Sequence, residues 1–179
     1  LRIAHQAEDL QAQIARWIGT DEPQSALLLS PPGYGKTTLL REWVRYFSDR
    51  GFTAAIADER SEIAALADGV PQLAVGRCTD VMEGCSKWQA AVMLLKTMSP
   101  ALLALDEITA PEDAKAVSLC THCGTAVIAC AHAAGLDDLR QRPIYRELLA
   151  LGAFHQAVII EKRDGQRVYR MERWEETKC

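Results

Sequence analysis

The stretch ALLLSPPGYGKTTLLREW, Ala26 to Trp43, sets an apolar run against a loop of two prolines and two glycines, and then against a segment of helical spacing that begins at Lys36. Few folds accommodate that order. A buried strand must turn within a few residues into a helix, through backbone angles that only glycine adopts readily. The segment SPPGYGKT matches the phosphate-loop pattern G-x-x-x-x-G-K-[ST], with Ser30 in place of the first glycine. Strand, loop and helix start together aim successive backbone N–H groups at one point, where the helix terminus adds partial positive charge. Gly33 and Gly35 give the flexible positions, while Pro31 and Pro32 stiffen the entry. Lys36 is then expected to reach the β- and γ-phosphate oxygens and Thr37 to place its hydroxyl on Mg²⁺, with Pro32, Gly33, Tyr34, Gly35 and Thr38 completing a cradle for ATP. A plain surface turn before a helix is the alternative, which the strand-loop-helix context disfavours.

The rest of the chain alternates in the same way. Leu10, Ile14, Trp17 and Ile18 share one face of a helix ending near Gly19. Strands are predicted at 26–29, 52–57, 101–105 and 125–130, each short, apolar and bounded by turn residues. Helices are predicted from Lys36 to about Phe47, from a Ser86/Gln89 capping box to Pro100, and from a Thr109/Glu112 capping box to Gly124. Residues 64–84 have no sustained period and read as a long irregular excursion, and residues 136–149 as a broken helical connection around Pro143. AFHQAVIIEK, an Asp164-Gly165 turn and QRVYRMERW form a terminal β-hairpin. The predicted class is α/β: a P-loop NTPase fold of the RecA-like kind, a mostly parallel sheet with helices on both faces and a C-terminal β-hairpin. Residues 1–22 are read as an N-terminal helix or linker and 23–179 as the nucleotide-binding domain.

A second signal is independent of the loop. The apolar strand ALLAL runs into Asp106 and Glu107 about 70 residues after the glycines, as a Walker B element does. Asp106 is expected to serve the Mg²⁺ and Glu107 to orient and deprotonate the attacking water. His132, just past the next strand, is either a sensor of the γ-phosphate or a hydrogen-bonded structural histidine. Asp58, Glu59 and Glu62 fall at another strand end on the same edge of the sheet, and their alternative is a solvated acidic loop. Arg60 and Arg77 pair with these acids or project into a neighbouring subunit.

Composition narrows the classes. With 179 residues, 49% apolar content and a net charge of −4, the chain suits one globular core and lacks the basic excess of a broad nucleic-acid surface. No apolar run approaches the roughly 18 residues of a membrane span, and the first residues lack a signal-peptide core, a cytoplasmic profile. Most of the six cysteines are read as core residues, because the spacing of Cys78, Cys85, Cys120 and Cys123 suits zinc poorly.

The segments SPPGYGKTTLLRE, DERSEIA, GVPQ, VGRCTDVMEGCSK, MSPALLALDEI, EDAKAV and CGTAVIACAH, in that order, resemble the stage III sporulation protein AA family, a relative of the type II and type IV secretion ATPases. The resemblance covers nearly the whole chain. It implies that Asp58, Glu59 and Glu62 fall in the acidic box of the secretion relatives, with Glu59 and Glu62 in catalysis, and that His132 is their box histidine. It also implies a hexameric ring of this chain on the cytoplasmic, mother-cell side of the forespore membranes, joined to membrane proteins of a sporulation channel, with an additional N-terminal region. Cys130 departs from the threonine usual before that histidine. The reading is therefore a Mg²⁺-dependent ATPase motor core. Its alternatives are a nucleotide-gated scaffold with little turnover, a small-molecule kinase with Arg140, Arg142 and Arg146 as a lid, and, against the acidic balance, a DNA translocase.

Overall fold

The computed structural model describes residues 2–174, with side chains from Leu10 onward. Its elements run α1 (Arg2–Ile18), β1 (Ala26–Leu29), α2 (Lys36–Ser48), β2 (Ala54–Asp58), β3 (Leu66–Ala67), β4 (Val70–Pro71), β5 (Thr79–Glu83), α3 (Lys87–Met98), β6 (Leu102–Glu107), α4 (Pro111–His122), β7 (Ala126–Ala131), α5 (Leu136–Gln141), α6 (Pro143–Ala150), β8 (Gln156–Arg163) and β9 (Gln166–Arg173). Seven strands form one sheet in the order β5-β2-β6-β7-β1-β8-β9. Every neighbouring pair in it is parallel except the β8–β9 hairpin. The predicted α/β class and terminal hairpin are what the chain forms.

The apolar strands carry side chains to two cores because successive residues point to opposite faces. Leu27, Leu29, Leu103 and Leu105 meet α3, α4, α5 and α6, whereas Ala26, Leu28, Leu102 and Ala104 meet α1 and α2. Both faces are covered, as a central parallel sheet requires. Helix α1 shares the second of these cores: Ile14 and Ile18 are fully buried, Trp17 stacks on Trp43 of α2 at 6.4 Å, and Gln11 donates to the Glu42 carboxylate at 2.7 Å. Burying the two isoleucines stabilises this docking by about 1.5–3 kcal/mol each.

Four expectations need correction. The segment 64–84 is not all irregular: β5 joins the main sheet as a parallel edge strand beside β2, and β3 and β4 pair as a small antiparallel ribbon. The edge strand is only partly buried, so its sequence lacks the apolar run that marked the others. Helix α4 starts from Ala110, and Asp113 rather than Glu112 reaches back, accepting from the N–H of Thr109 at 2.8 Å and of Ala110 at 3.0 Å. Strand β2 begins at Ala54, two residues later than its apolar run. Among the described cysteines only Cys120 and Cys130 are buried; Cys78 and Cys123 are exposed, and Cys179 lies outside the described residues. The α3 capping box forms as predicted, with Ser86 Oγ accepting from Gln89 N–H and Gln89 Oε1 from Ser86 N–H, both at 3.3 Å.

Candidate functional site

Strand β1 ends at Leu29 and the chain turns through Gly33 (φ 75°) and Gly35 (φ 94°) into α2. Both glycines hold the left-handed conformation that motivated them as loop residues. No side chain caps α2, so its first amides lack a protein partner of that kind. Lys36, the first residue of the helix, is 8% exposed and folds back over the loop, donating to the carbonyls of Ser30 at 3.1 Å and Pro31 at 3.3 Å.

From Lys36 a chain of polar contacts leads to the end of β6. Lys36 Nζ lies 2.7 Å from His132 Nδ1, and His132 Nε2 lies 2.9 Å from Glu107 Oε2. An ammonium only donates, so Nδ1 accepts and the Nε2–H is directed to the Glu107 carboxylate. His132 therefore connects the phosphate-loop lysine to the residue expected to activate water. The register of β6 against β7 slips between Leu105 and Glu107, which makes Asp106 the extra residue of a bulge. Such a bulge breaks strict alternation and re-aims side chains at the strand end.

Charge follows this geometry. Burial lowers the pKa of Lys36, and Cys130, Glu107 and Asp106 draw it back up. Burial also drives the Cys130 thiol far up its own scale, so that it is neutral at ordinary pH and the two carboxylates are the charges that matter. Asp106 is raised, first by burial and then by Glu62, while the Glu107 N–H and Lys87 oppose the shift. A half-buried carboxylate held above its usual range, within electrostatic reach of Lys36 at the start of α2, fits a divalent cation beside a polyphosphate. Thr37 and Asp106 are the residues that would hold Mg²⁺. Among the described residues no three His, Cys, Asp or Glu side chains cluster as a metal site, but Mg²⁺ takes much of its coordination from phosphates and water.

The acidic loop after β2 divides its duties. Asp58 is fully buried and accepts from the backbone N–H groups of Glu62, Ile63 and Ala64, at 2.8–3.1 Å, which fixes the turn. Glu59 is held by Lys87 at 2.7 Å, and Lys87 also lies 3.5 Å from Asp113. Glu62 acts electrostatically on Asp106. Lys87 and Asp113 were missed in the sequence, although a lysine in the first turn of a helix opposes the helix dipole and so invites the question of what carboxylate it serves. Arg77 donates to the Asp49 carbonyl at the far end of α2, away from the loop. Arg140 and Arg142 pair with Asp137 and Asp138 of their own segment, at 3.4 and 3.1 Å.

A concavity of about 760 Å³ opens at the opposite edge of the sheet among Ser25, Thr125, His155 and Arg173. It has no carboxylate and no glycine loop, so size is a poor guide here and the chemistry stays at Lys36.

Strand order and glycine loop together define the P-loop NTPase fold, a mostly parallel sheet covered by helices. The ATPase DotB of Legionella pneumophila is similar in structure, with a TM-score of 0.63 and 16% identity over 87% of this chain and 46% of that one. The VirB11 ATPase of the Brucella suis type IV secretion system is similar too, with a TM-score of 0.63 and 14% identity over 96% of this chain and 53% of that one. Residues 1–171 match the family described as Sporulation stage III, protein AA. Stage III sporulation protein AA of Bacillus subtilis is 33% identical over 170 residues, which are 92% of this chain and 55% of that protein. The chain belongs to the stage III sporulation protein AA family, and spans about half the length of that relative.

Proposed function

We propose that this chain is the Mg²⁺-dependent ATPase core of a ring-forming motor that energises a sporulation channel assembly. The contact chain from Lys36 through His132 to Glu107 carries the reading, because it connects the group that meets the phosphates to the group that would meet the water. The family membership and the secretion-ATPase fold support the setting: other copies of the chain in a hexameric ring, with membrane proteins of the channel as partners, on the cytoplasmic face. Among the described residues no helix is long and apolar enough to cross a membrane.

In this reading the α2 amides from Gly35 to Thr38 bind the β-phosphate, and Lys36 leaves the Ser30 and Pro31 carbonyls for the phosphate oxygens. Thr37 and Asp106 would hold Mg²⁺, which would neutralise phosphate charge when bound. When Lys36 turns to the phosphates, His132 Nδ1 loses its donor; transfer of the ring proton from Nε2 to Nδ1 would let Nδ1 donate to a γ-phosphate oxygen and would end the Nε2–H bond to Glu107. Glu107, relieved of its tie to a lysine-bound imidazole, takes the proton of the attacking water. Glu62 adds a second negative charge beside Asp106, which a cation there would offset, and Glu59, through Lys87, holds the α3 start against the same edge.

Replacing Glu107 by Gln keeps the shape and removes the base. Phosphate release by Glu107→Gln is expected to fall by about 10²–10⁴ with ATP affinity retained. Equal, negligible release by both proteins despite ATP binding would replace the motor with a nucleotide-gated scaffold.

A further inference from the structure

The terminal hairpin brings two cations to the mouth of the phosphate loop. Strand β8 lies beside β1 on the flank opposite β7 and β6, so the loop sits between the hairpin on one side and His132 and Glu107 on the other. Lys162 of β8 and Arg167 of β9 are direct cross-strand partners and therefore share one face of the hairpin. Both reach the loop: Lys162 Nζ lies 4.5 Å from the centre of the Tyr34 ring, and a Cβ added at Gly35 would stand 2.8 Å from Arg167 Cζ. Gly35 is needed for its positive φ, and the Arg167 guanidinium rests against its open side.

Two like charges directly opposite each other destabilise a ladder, and here they also face the positive end of α2. Neighbouring cations of the same hairpin are neutralised: Arg163 pairs with Glu161 at 2.8 Å, and Arg170 pairs with Glu161 and Glu172. Among the described residues neither Lys162 nor Arg167 has an ion-pair partner. Such an arrangement suits a transient anion brought by a ligand. A nucleotide whose γ-phosphate faces Glu107 must run its other end towards the opposite flank of the loop, which is the hairpin.

We infer that Arg167 and Lys162 grip the α-phosphate of the bound nucleoside triphosphate, so that the hairpin forms the nucleoside-side wall of the site. This rests on the nucleotide reading given above. An α-phosphate contact is common to ATP and ADP, whereas a contact at the Glu107 end is made by ATP alone.

Titrating the whole chain with Mg-ATP and with Mg-ADP separates the two. For Arg167→Ala, affinity for both is expected to drop by the same factor, about tenfold or more, with KM raised and kcat unchanged. Arg167→Lys should recover part of the loss, and Arg167→Glu should deepen it. Thermal melts of the three variants should show no loss of stability, since the side chain is exposed, and Arg167→Ala and Arg167→Glu should melt no lower than wild type because they relieve the like-charge pair with Lys162. Unchanged affinities in Arg167→Ala and Lys162→Ala alongside firm wild-type binding would overturn the hairpin contact and leave the nucleotide site standing. A loss confined to ATP would overturn it as well, by moving the cation to the γ-phosphate. If the wild type binds neither nucleotide, the underlying reading falls and this inference with it.

Discussion

Asp106 is a carboxylate in a place that suits one poorly until a cation arrives. Burial is the main cause of its raised pKa, and the nearby Glu62 adds to it. A folded pKa above the unfolded 3.8 means that the group's favourable contribution is complete below that value and is lost as pH rises through the folded one. At neutral pH its charge therefore weighs against the nucleotide-free fold. Asp106→Asn should raise the Tm of the free protein at pH 7, by about 2–4 °C if the relief is worth about 1 kcal/mol in a chain of this size. The advantage should shrink as pH falls towards 4. The same variant should lose the extra thermal shift that Mg²⁺ gives to ATP. A lower Tm than wild type at pH 7 would mean that Asp106 stabilises the free protein and is no waiting cation ligand. Tyr145 illustrates the opposite outcome of burial: its hydroxyl stays protonated, its pKa driven up, and donates to the Ile108 carbonyl at 2.7 Å, holding α6 to the turn that follows β6.

At the scale of elements, what was legible in the sequence is what two-sided burial writes into it. Strands β1, β6 and β7 lie in the middle of the sheet, so ALLL, ALLAL and AVIAC had to be apolar on both faces, and the glycine loop after the first of them fixes where α2 starts. The edge strand β5 is partly exposed, and TDVME carries no run to detect. Partners far apart in sequence were equally hidden: nothing local couples Lys87 to Glu59, Lys162 to Tyr34 or Arg167 to Gly35, because sheet order alone brings them together. Roles of the carboxylates after β2 were masked by their similarity, since only burial distinguishes Asp58, which fixes the turn, from Glu59 and Glu62. The connection into β5 also depends on a close approach. Gly76 has φ 97°, and a Cβ there would meet Ser48 Cβ and Oγ at 2.4 Å, while Ser48 Oγ accepts from the Cys78 N–H at 2.7 Å. Gly76→Ala should lower unfolding stability by about 1–3 kcal/mol in denaturant titration, with the slope m unchanged. A change under about 0.5 kcal/mol would show that the connector moves aside freely.

For the whole molecule, sheet order is what makes a site from these parts. Placing β1 between β7 and β8 puts the phosphate loop at the centre, with His132, Asp106 and Glu107 on one flank and the hairpin on the other. Helix α1 ties the hairpin to α2, since Trp17 contacts both Trp43 and Tyr169, with ring centres at 6.4 and 5.6 Å. A shift of the hairpin on nucleotide binding would therefore be felt at α1. All of this presupposes that the amides at the start of α2, with Lys36, bind a magnesium nucleotide. Calorimetric titration of Mg-ATP into the wild type and into Lys36→Ala tests that most directly. The account predicts saturable heat for the wild type and affinity at least about tenfold weaker for the variant; no heat at millimolar Mg-ATP, or superimposable isotherms for the two proteins, would contradict it.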